Sequence, residues 1–322
     1  MLYPLRFHPI YKRYMWGGRK FETSLARALG PGDNFAESWE ICDHFSDQSI
    51  AAWGESAGVT LAELVARHGR ELFGRDFPQS RFPLLVKFLD ARQTLSVQVH
   101  PNDAQAARLN PPDFGKTEAW VVLEAEAGSL IYAGLKQGVG RHELETAIRE
   151  GRCQDCLHSF HPQAGDCIYI PAGTVHALGT GLLVAEIQQS SDTTYRLFDW
   201  NRLGPDGKPR PLHIKQGLGV IDYPAGAVNP LCPQATERAF ASRLVACEKF
   251  ILDRLTVDSS CEIGGDDRFH IFIVLEGSIQ LEGDPASIPM SRGSSALLPA
   301  GLGAVRAAAQ NKVVALDAFL PD

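Results

Sequence analysis

Three residues whose types could share one task lie far apart in the chain. His100 ends the stretch LSVQVH, Glu118 opens EAWVVLEA, and His176 follows the turn in IPAGTVHAL. Strict alternation in LSVQVH points Gln98 to the same face as His100. Two imidazoles, one carboxylate and an amide oxygen make a donor set for a divalent ion, with Zn²⁺ favoured among metals held by nitrogen and oxygen. A single carboxylate leaves net positive charge on such an ion, which suits a Lewis acid and leaves room for substrate oxygens. The plainer alternative makes His100 and His176 ordinary hydrogen-bonded histidines. Cations lie near the set. Lys116 shares a strand face with Glu118, Arg196 follows Asp192 in SSDTTYR, and Lys87 interrupts the apolar run PLLVKFL, where a charge needs a reason.

The elements that must position these residues read mostly as strands. PLLVKFL, LSVQVH, EAWVVLEA (118–125), SLIYAGL (129–135), GDCIYIP (165–171), LLVAEIQQ (182–189) and TTYRLFDW (193–200) are short, apolar or alternating, and bounded by turn residues. In an antiparallel jelly roll, strand ends of this kind converge on the barrel interior. Two helices are expected. One covers 60–74 with Thr60 as its N-cap, and the other covers 142–151 with a glycine where it stops. The N-terminal stretch reads as irregular and aromatic, and the polar, turn-rich NRLGPDGKPRPL (201–212) as a linker.

The strand pattern then repeats. EAWVVLE aligns on HIFIVLE at an offset of 152 residues, and IPAG aligns on LPAG at an offset of 128. The 24-residue difference matches the helical segment near 135–158, present only in the first copy. The expected fold is therefore mainly β, two tandem jelly-roll barrels with a small helical insertion in the first. The first domain would span 1–205, including an N-terminal extension, and the second 213–322. In the second copy His270 stands where the first has Glu118, and Ala304 stands where it has His176. Too few ligands remain there, so one ion per chain is expected.

The chain of 322 residues is long enough for two packed cores, and its 30 glycines and 20 prolines suit many turns between short strands. A net charge of −7 argues against a broad nucleic-acid surface, yet leaves room for a small anionic substrate held by local lysines and arginines. MLYPLRFHPIYKRYMW has no continuous apolar core for a signal peptide, and no later run approaches a membrane span. The expectation is a cytoplasmic protein with no membrane partner. Cys153 and Cys156 form a lone CxxC among seven scattered cysteines, read as reduced structural thiols. Nothing in the sequence speaks to oligomeric state.

FPLLVKFLDARQTLSVQVHPND, GKTEAW, GDCIYIPAGTVHAL and QQSSDTTYRLFDWNR together resemble the short bacterial form of the type I phosphomannose isomerases, within the cupin superfamily. The resemblance covers 80–215 closely and extends through YMWGG (14–18) and AESWEI (36–41); beyond 215 it is loose. It implies reversible conversion of mannose 6-phosphate to fructose 6-phosphate through a metal-stabilised cis-enediolate. It also implies zinc ligands at His100, Glu118 and His176, with Gln98 at a fourth position. Arg196 and Lys116 fall on active-site cations, and Asp192 on an acidic residue proposed to transfer protons. Some longer members carry histidine before the motif lysine; Gly115 stands there in this chain, so that position offers no base. Phosphate-binding cations are open among Lys87, Lys116 and the Lys12/Arg13 pair near Trp16. Two rivals are a cupin enzyme for another sugar or sugar phosphate, and a non-catalytic sugar-binding protein. The full polar set argues against the second.

Overall fold

The computed structural model describes residues 2–45, 47–204 and 207–322. Their contacts gather into two compact units. One comprises Met1–Ile10, Trp39–Val86 and Cys232–Asp322, and the other Tyr11–Ser38 and Lys87–Leu231. The division near the C-terminal barrel thus falls at Leu231/Cys232, downstream of the stretch 201–212 that reads as a linker. The physical reason lies in that stretch itself: Arg202 and Arg210 both turn back onto Asp199, at 2.6 Å each. His213 N then donates to Arg196 O at 2.7 Å, and the helix Ile214–Val220, which the sequence reading missed, packs on the strand Tyr195–Phe198. The expected domain end at Pro205, with Asp206 beside it, lies outside the described residues.

Two antiparallel sheets supply the layers of the Tyr11–Ser38 and Lys87–Leu231 unit, and three strands of the first begin or end beyond its bounds. One sheet runs Ile10–Gly18, Phe35–Ile41, Leu84–Ala91, Leu182–Gln189, Glu118–Ala125, Cys167–Ile170 in spatial order. The other runs Tyr195–Phe198, Val97–Val99, His176–Leu178, Ile131–Leu135, Leu157–Phe160. Side chains of both sheets make one core, with Trp16, Leu89, Trp120, Ile168 and Val184 from the first against Ile131, Ala133 and Leu178 from the second. The N-terminal stretch is therefore not irregular. Its strand Ile10–Gly18 lies so close to the next that a Cβ on Gly17 would sit 2.5 Å from Ala36 N, and only glycine fits.

The helical insertion is present as Arg141–Arg149 followed by a 3₁₀ turn, Cys153–Cys156. Leu144, Ala147, Ile148 and Cys153 are buried against Val97 and Val99, so the insert backs the strand that carries Gln98. All seven cysteines are free, and burial pushes the Cys153 thiol up to about 12, which leaves it inert.

The other unit repeats the sheet pattern. Its larger sheet runs Gln234–Ala235, Ala241–Ala246, Ile251–Val257, Val313–Phe319, His270–Glu276, Ser295–Leu298, and a four-stranded sheet completes the barrel. The expected alignment holds to the residue: Glu118 faces Ile170 across the first sheet, and His270 faces Leu298 across the second. Leu61–Phe73 forms the helix expected from 60, with a capping box. Glu63 N donates to Thr60 Oγ1, and the Glu63 carboxylate accepts from Thr60 N. Its apolar face ends on Phe73, which packs with Phe82 and Phe269 at 5.9 Å each. Among the described residues no helix is long and apolar enough to cross a membrane.

Candidate functional site

Two sheets deliver the proposed ligands to one place. Across three paired strands, Arg196, Gln98 and His176 stand directly opposite one another in a single row. Neighbours in such a row are about 5 Å apart and share a face. His100 follows one pleat beyond Gln98, where the strand ends at Val99. From the other sheet, the Glu118 strand supplies its first residue, paired with Ile170 on one side and Gln188 on the other. The Pro-Ala-Gly turn sets the entry angle of His176. Thr174 N donates to Pro171 O at 3.1 Å, and Gly173 adopts φ +90, which a side chain would resist.

One ligand atom from each of His100, Glu118 and His176 lies within 4.8 Å of the other two, and all three side chains are buried. His100 Nε2 is 3.6 Å from Glu118 Oε2, and His176 Nε2 is 3.3 Å from Glu118 Oε1. Each imidazole is turned by a backbone carbonyl: His100 Nδ1 meets Thr193 O at 3.0 Å, and His176 Nδ1 meets Thr174 O at 2.9 Å. With Nδ1 committed as donor, Nε2 of both rings is left as a lone pair facing the carboxylate. Burial lowers the pKa of His100 well below its ordinary value and that of His176 to about 3, so both rings are neutral. His176 Nε2 and Glu118 Oε1 are buried without a hydrogen-bond partner. Two acceptors facing each other are costly unless a proton or a cation joins them. The donor set fits a divalent ion.

Cations and carboxylates alternate beside this cluster. Lys116 Nζ bonds Glu118 and lies 3.0 Å from His100 Nε2 and 3.9 Å from Glu186. Lys87 Nζ, almost fully buried, lies 3.3 Å from Glu37, 3.8 Å from Glu186 and 3.9 Å from Asp192. Burial works against its charge, but the three carboxylates outweigh burial and raise its pKa. Burial would raise Glu186, yet Lys116, Lys87 and the Trp120 indole N–H, at 2.9 Å, together hold it lower than usual. Burial pushes Glu118 up to about 7, against the pull of Lys116.

A cavity of about 280 Å³ opens over these groups, lined by Trp16, Lys87, Gln98, Lys116, Asp192 and Arg196 from the sequence-derived set. Tyr14, Glu37, Glu186 and Arg210 also line it, and the sequence reading passed over them. Glu186 carried a legible signal, a charge inside the apolar LLVAEIQQ strand, of the kind that singled out Lys87. Arg210 carried none, because only the fold-back onto Asp199 brings it there. The Lys12/Arg13 pair is not among the lining residues; the Arg13 guanidinium donates to Pro31 O and sits 4.2 Å over the Phe35 ring.

Known proteins resemble this chain over almost its whole length. Residues 5–118 match the family model described as phosphomannose isomerase type I, catalytic domain, and residues 241–316 match the mannose-6-phosphate isomerase cupin domain. Mannose-6-phosphate isomerase ManA of Bacillus subtilis is 37% identical over 304 residues, covering 93% of this chain and 94% of the relative. The chain belongs to the type I phosphomannose isomerase family. A mannose-6-phosphate isomerase of Streptococcus mutans is 35% identical over 302 residues, 93% of each chain. The crystal structure of the Bacillus subtilis mannose 6-phosphate isomerase superposes with a TM-score of 0.89 at 30% identity, over 99% of this chain and 100% of that one. The two barrels are thus the tandem cupins of a phosphomannose isomerase.

Proposed function

We propose that this chain interconverts mannose 6-phosphate and fructose 6-phosphate, with His100, Glu118 and His176 holding one Zn²⁺ and Gln98 in reach as a fourth ligand. The observation that carries the reading is the pair of buried, partnerless acceptors, His176 Nε2 and Glu118 Oε1, next to Lys116, which with Lys87 and Arg196 lines the adjoining cavity. The reaction moves a proton between C2 and C1, and its cis-enediolate puts negative charge on a former carbonyl oxygen. Zn²⁺, when bound, supplies positive charge to the substrate oxygens.

The chain's own residues supply the rest. Arg196 and Lys116 add positive charge around the developing oxyanion, and Lys87 and Lys116, beside the Trp16 ring, bind the anionic substrate. Glu186, stabilised as a carboxylate by two lysines, is a weak base and fixes those lysines in place. Asp192 lies half-exposed at the same cavity and is assigned the proton transfer. A phosphorylated hexose does not cross a bilayer unaided, so the reading also places the chain in the cytoplasm.

The decisive experiment couples metal analysis of the purified protein to an isomerase assay with mannose 6-phosphate. His176→Ala should lose metal and turnover together, and Arg196→Ala should keep metal and lose turnover. Turnover that survives thorough chelation refutes the metal role. Equal turnover of mannose and mannose 6-phosphate favours a cupin enzyme for another sugar.

A further inference from the structure

We infer that Asp113, which touches none of the proposed ligands, is a positioning residue that sets the metal affinity of His100. The inference rests on the metal reading above. His100 is held at Nδ1 by Thr193 O at 3.0 Å, the bond that leaves Nε2 to face Glu118 and Lys116. Thr193 belongs to the short turn 190–194 that follows the Leu182–Gln189 strand, with no strand pairing of its own to hold its carbonyl. Asp113 Oδ2 holds that turn from the opposite loop. It accepts from Ser191 Oγ at 2.7 Å and from Thr193 Oγ1 at 2.9 Å. Ser191 Oγ in turn accepts from Thr193 N at 3.2 Å, so one carboxylate oxygen fixes the Thr193 peptide from two sides.

A second carboxylate ties the same two loops at a different point. Asp103 Oδ1 accepts from Gly115 N at 2.8 Å and from Gln189 Nε2 at 2.9 Å, and Gln189 Oε1 accepts from Thr117 N at 3.1 Å. Gly115 and Thr117 flank Lys116, so the loop that presents Lys116 and Glu118 is locked to the turn that orients His100. Gly115 has no room for a side chain: a Cβ there would lie 2.5 Å from Asp103 N. The lock therefore uses backbone contact that other residues would prevent. Outer partners of metal ligands, by fixing ring orientation, typically govern affinity by 10–100-fold.

The two lines of Asp113 bonding make its replacement informative. Asp113 Oδ1 accepts from Phe114 N at 2.9 Å while Oδ2 takes the two hydroxyls. Asparagine can keep the Phe114 N bond only by turning its amide nitrogen to the two hydroxyls, which must then accept instead of donate, and the charge-assisted bonds to the carboxylate are lost. Asp113→Asn should therefore loosen the turn without emptying the space. Ser191→Ala and Thr193→Val remove the hydroxyls and leave the Thr193 carbonyl in the chain.

The test measures Zn²⁺ affinity of the metal-free full-length protein by competition with a chromophoric chelator, alongside the thermal midpoint of the same metal-free samples. Expected are about tenfold weaker binding in Asp113→Asn and in Thr193→Val, and little further loss in the double variant, because both act through one link. Glu63→Ala, in the distant capping box, should lower the midpoint and leave Zn²⁺ affinity unchanged. Unchanged affinity in Asp113→Asn overturns the inference while leaving the metal reading intact. So do losses that multiply in the double variant, or affinity that merely follows the midpoint in every protein. Wild-type protein that takes up no Zn²⁺ overturns the metal reading and this inference with it.

Discussion

Replacing His270 with glutamine removes one cation from an alternating chain of six charges in the Cys232–Asp322 barrel, and its cost follows from the structure. His270 Nδ1 is 2.7 Å from Asp317 Oδ1, and Nε2 is 3.0 Å from Asp266 Oδ1. Arg238 bridges Asp317 at 3.2 Å and Asp253 at 2.9 Å, and Arg243 closes the chain on Asp253. Burial disfavours the imidazolium, but the two carboxylates outweigh it and raise His270 to about 9. A rise from the ordinary 6.5 to about 9 corresponds to about 3 kcal/mol of stabilisation by the charged ring. Because the folded value lies above the unfolded one, that stability is present in full below about pH 6.5. It is lost as pH rises through about 9. Urea unfolding of wild type and His270→Gln between pH 6 and 10 should show a gap that narrows by about 3 kcal/mol across the window. NMR titration of the imidazole should place its pKa near 9. A gap that stays constant with pH, or a titration near the ordinary value, refutes the reasoning.

Three further substitutions test the packing and charge arguments. Lys87→Met removes the buried cation beside Glu37 and one of the two lysines beside Glu186, so urea unfolding should show a loss of about 3 kcal/mol; a change near zero would mean that Lys116 and other neighbours compensate the carboxylates. Gly17→Ala forces a methyl to within 2.5 Å of Ala36 N and should cost more than about 1 kcal/mol, read by the thermal midpoint. Thr60→Ala removes the side-chain half of the capping box on Leu61–Phe73, leaving Glu63 N without Thr60 Oγ1, and should cost about 1 kcal/mol, with serine restoring most of it.

What the sequence made legible was whatever depends on local order. Alternation in LSVQVH placed Gln98 and His100 on one face, and the two Pro-Ala-Gly turns set the repeat that the strand registers reproduce. Lys87 was visible because a charge in an apolar run breaks a rule. Glu186 broke the same rule in LLVAEIQQ and could have been found by it. Arg210, Tyr14 and the role of Asp113 were not legible, since each depends on which distant segments meet. No periodicity in NRLGPDGKPRPL tells that its arginines return to Asp199. The N-terminal strands were hidden for another reason: YKRYMWGG is aromatic and basic, and its strand identity comes from glycines that let a neighbour approach.

The two barrels place ionisable residues at the same register and use them in opposite ways. Glu118 and His270 open equivalent strands, and Glu186, opposite Trp120, corresponds to Asp317, opposite Phe272. In both barrels charged side chains line a cavity, but in the first two buried acceptors, His176 Nε2 and Glu118 Oε1, are left for something outside the chain to satisfy. In the second, Asp317 is met by His270 and Arg238, and Asp253 by both arginines. The residue that would reopen the second site is missing as well, since Ala304 begins the strand where His176 begins its counterpart. Restoring a histidine at 304 alone would not rebuild a metal centre, because His270 is already committed on both ring nitrogens. Ala304→His should therefore gain no second equivalent of Zn²⁺ by metal analysis. A second bound equivalent would show that the charge chain in this barrel yields to a ligand, and that its groups are not fixed by one another.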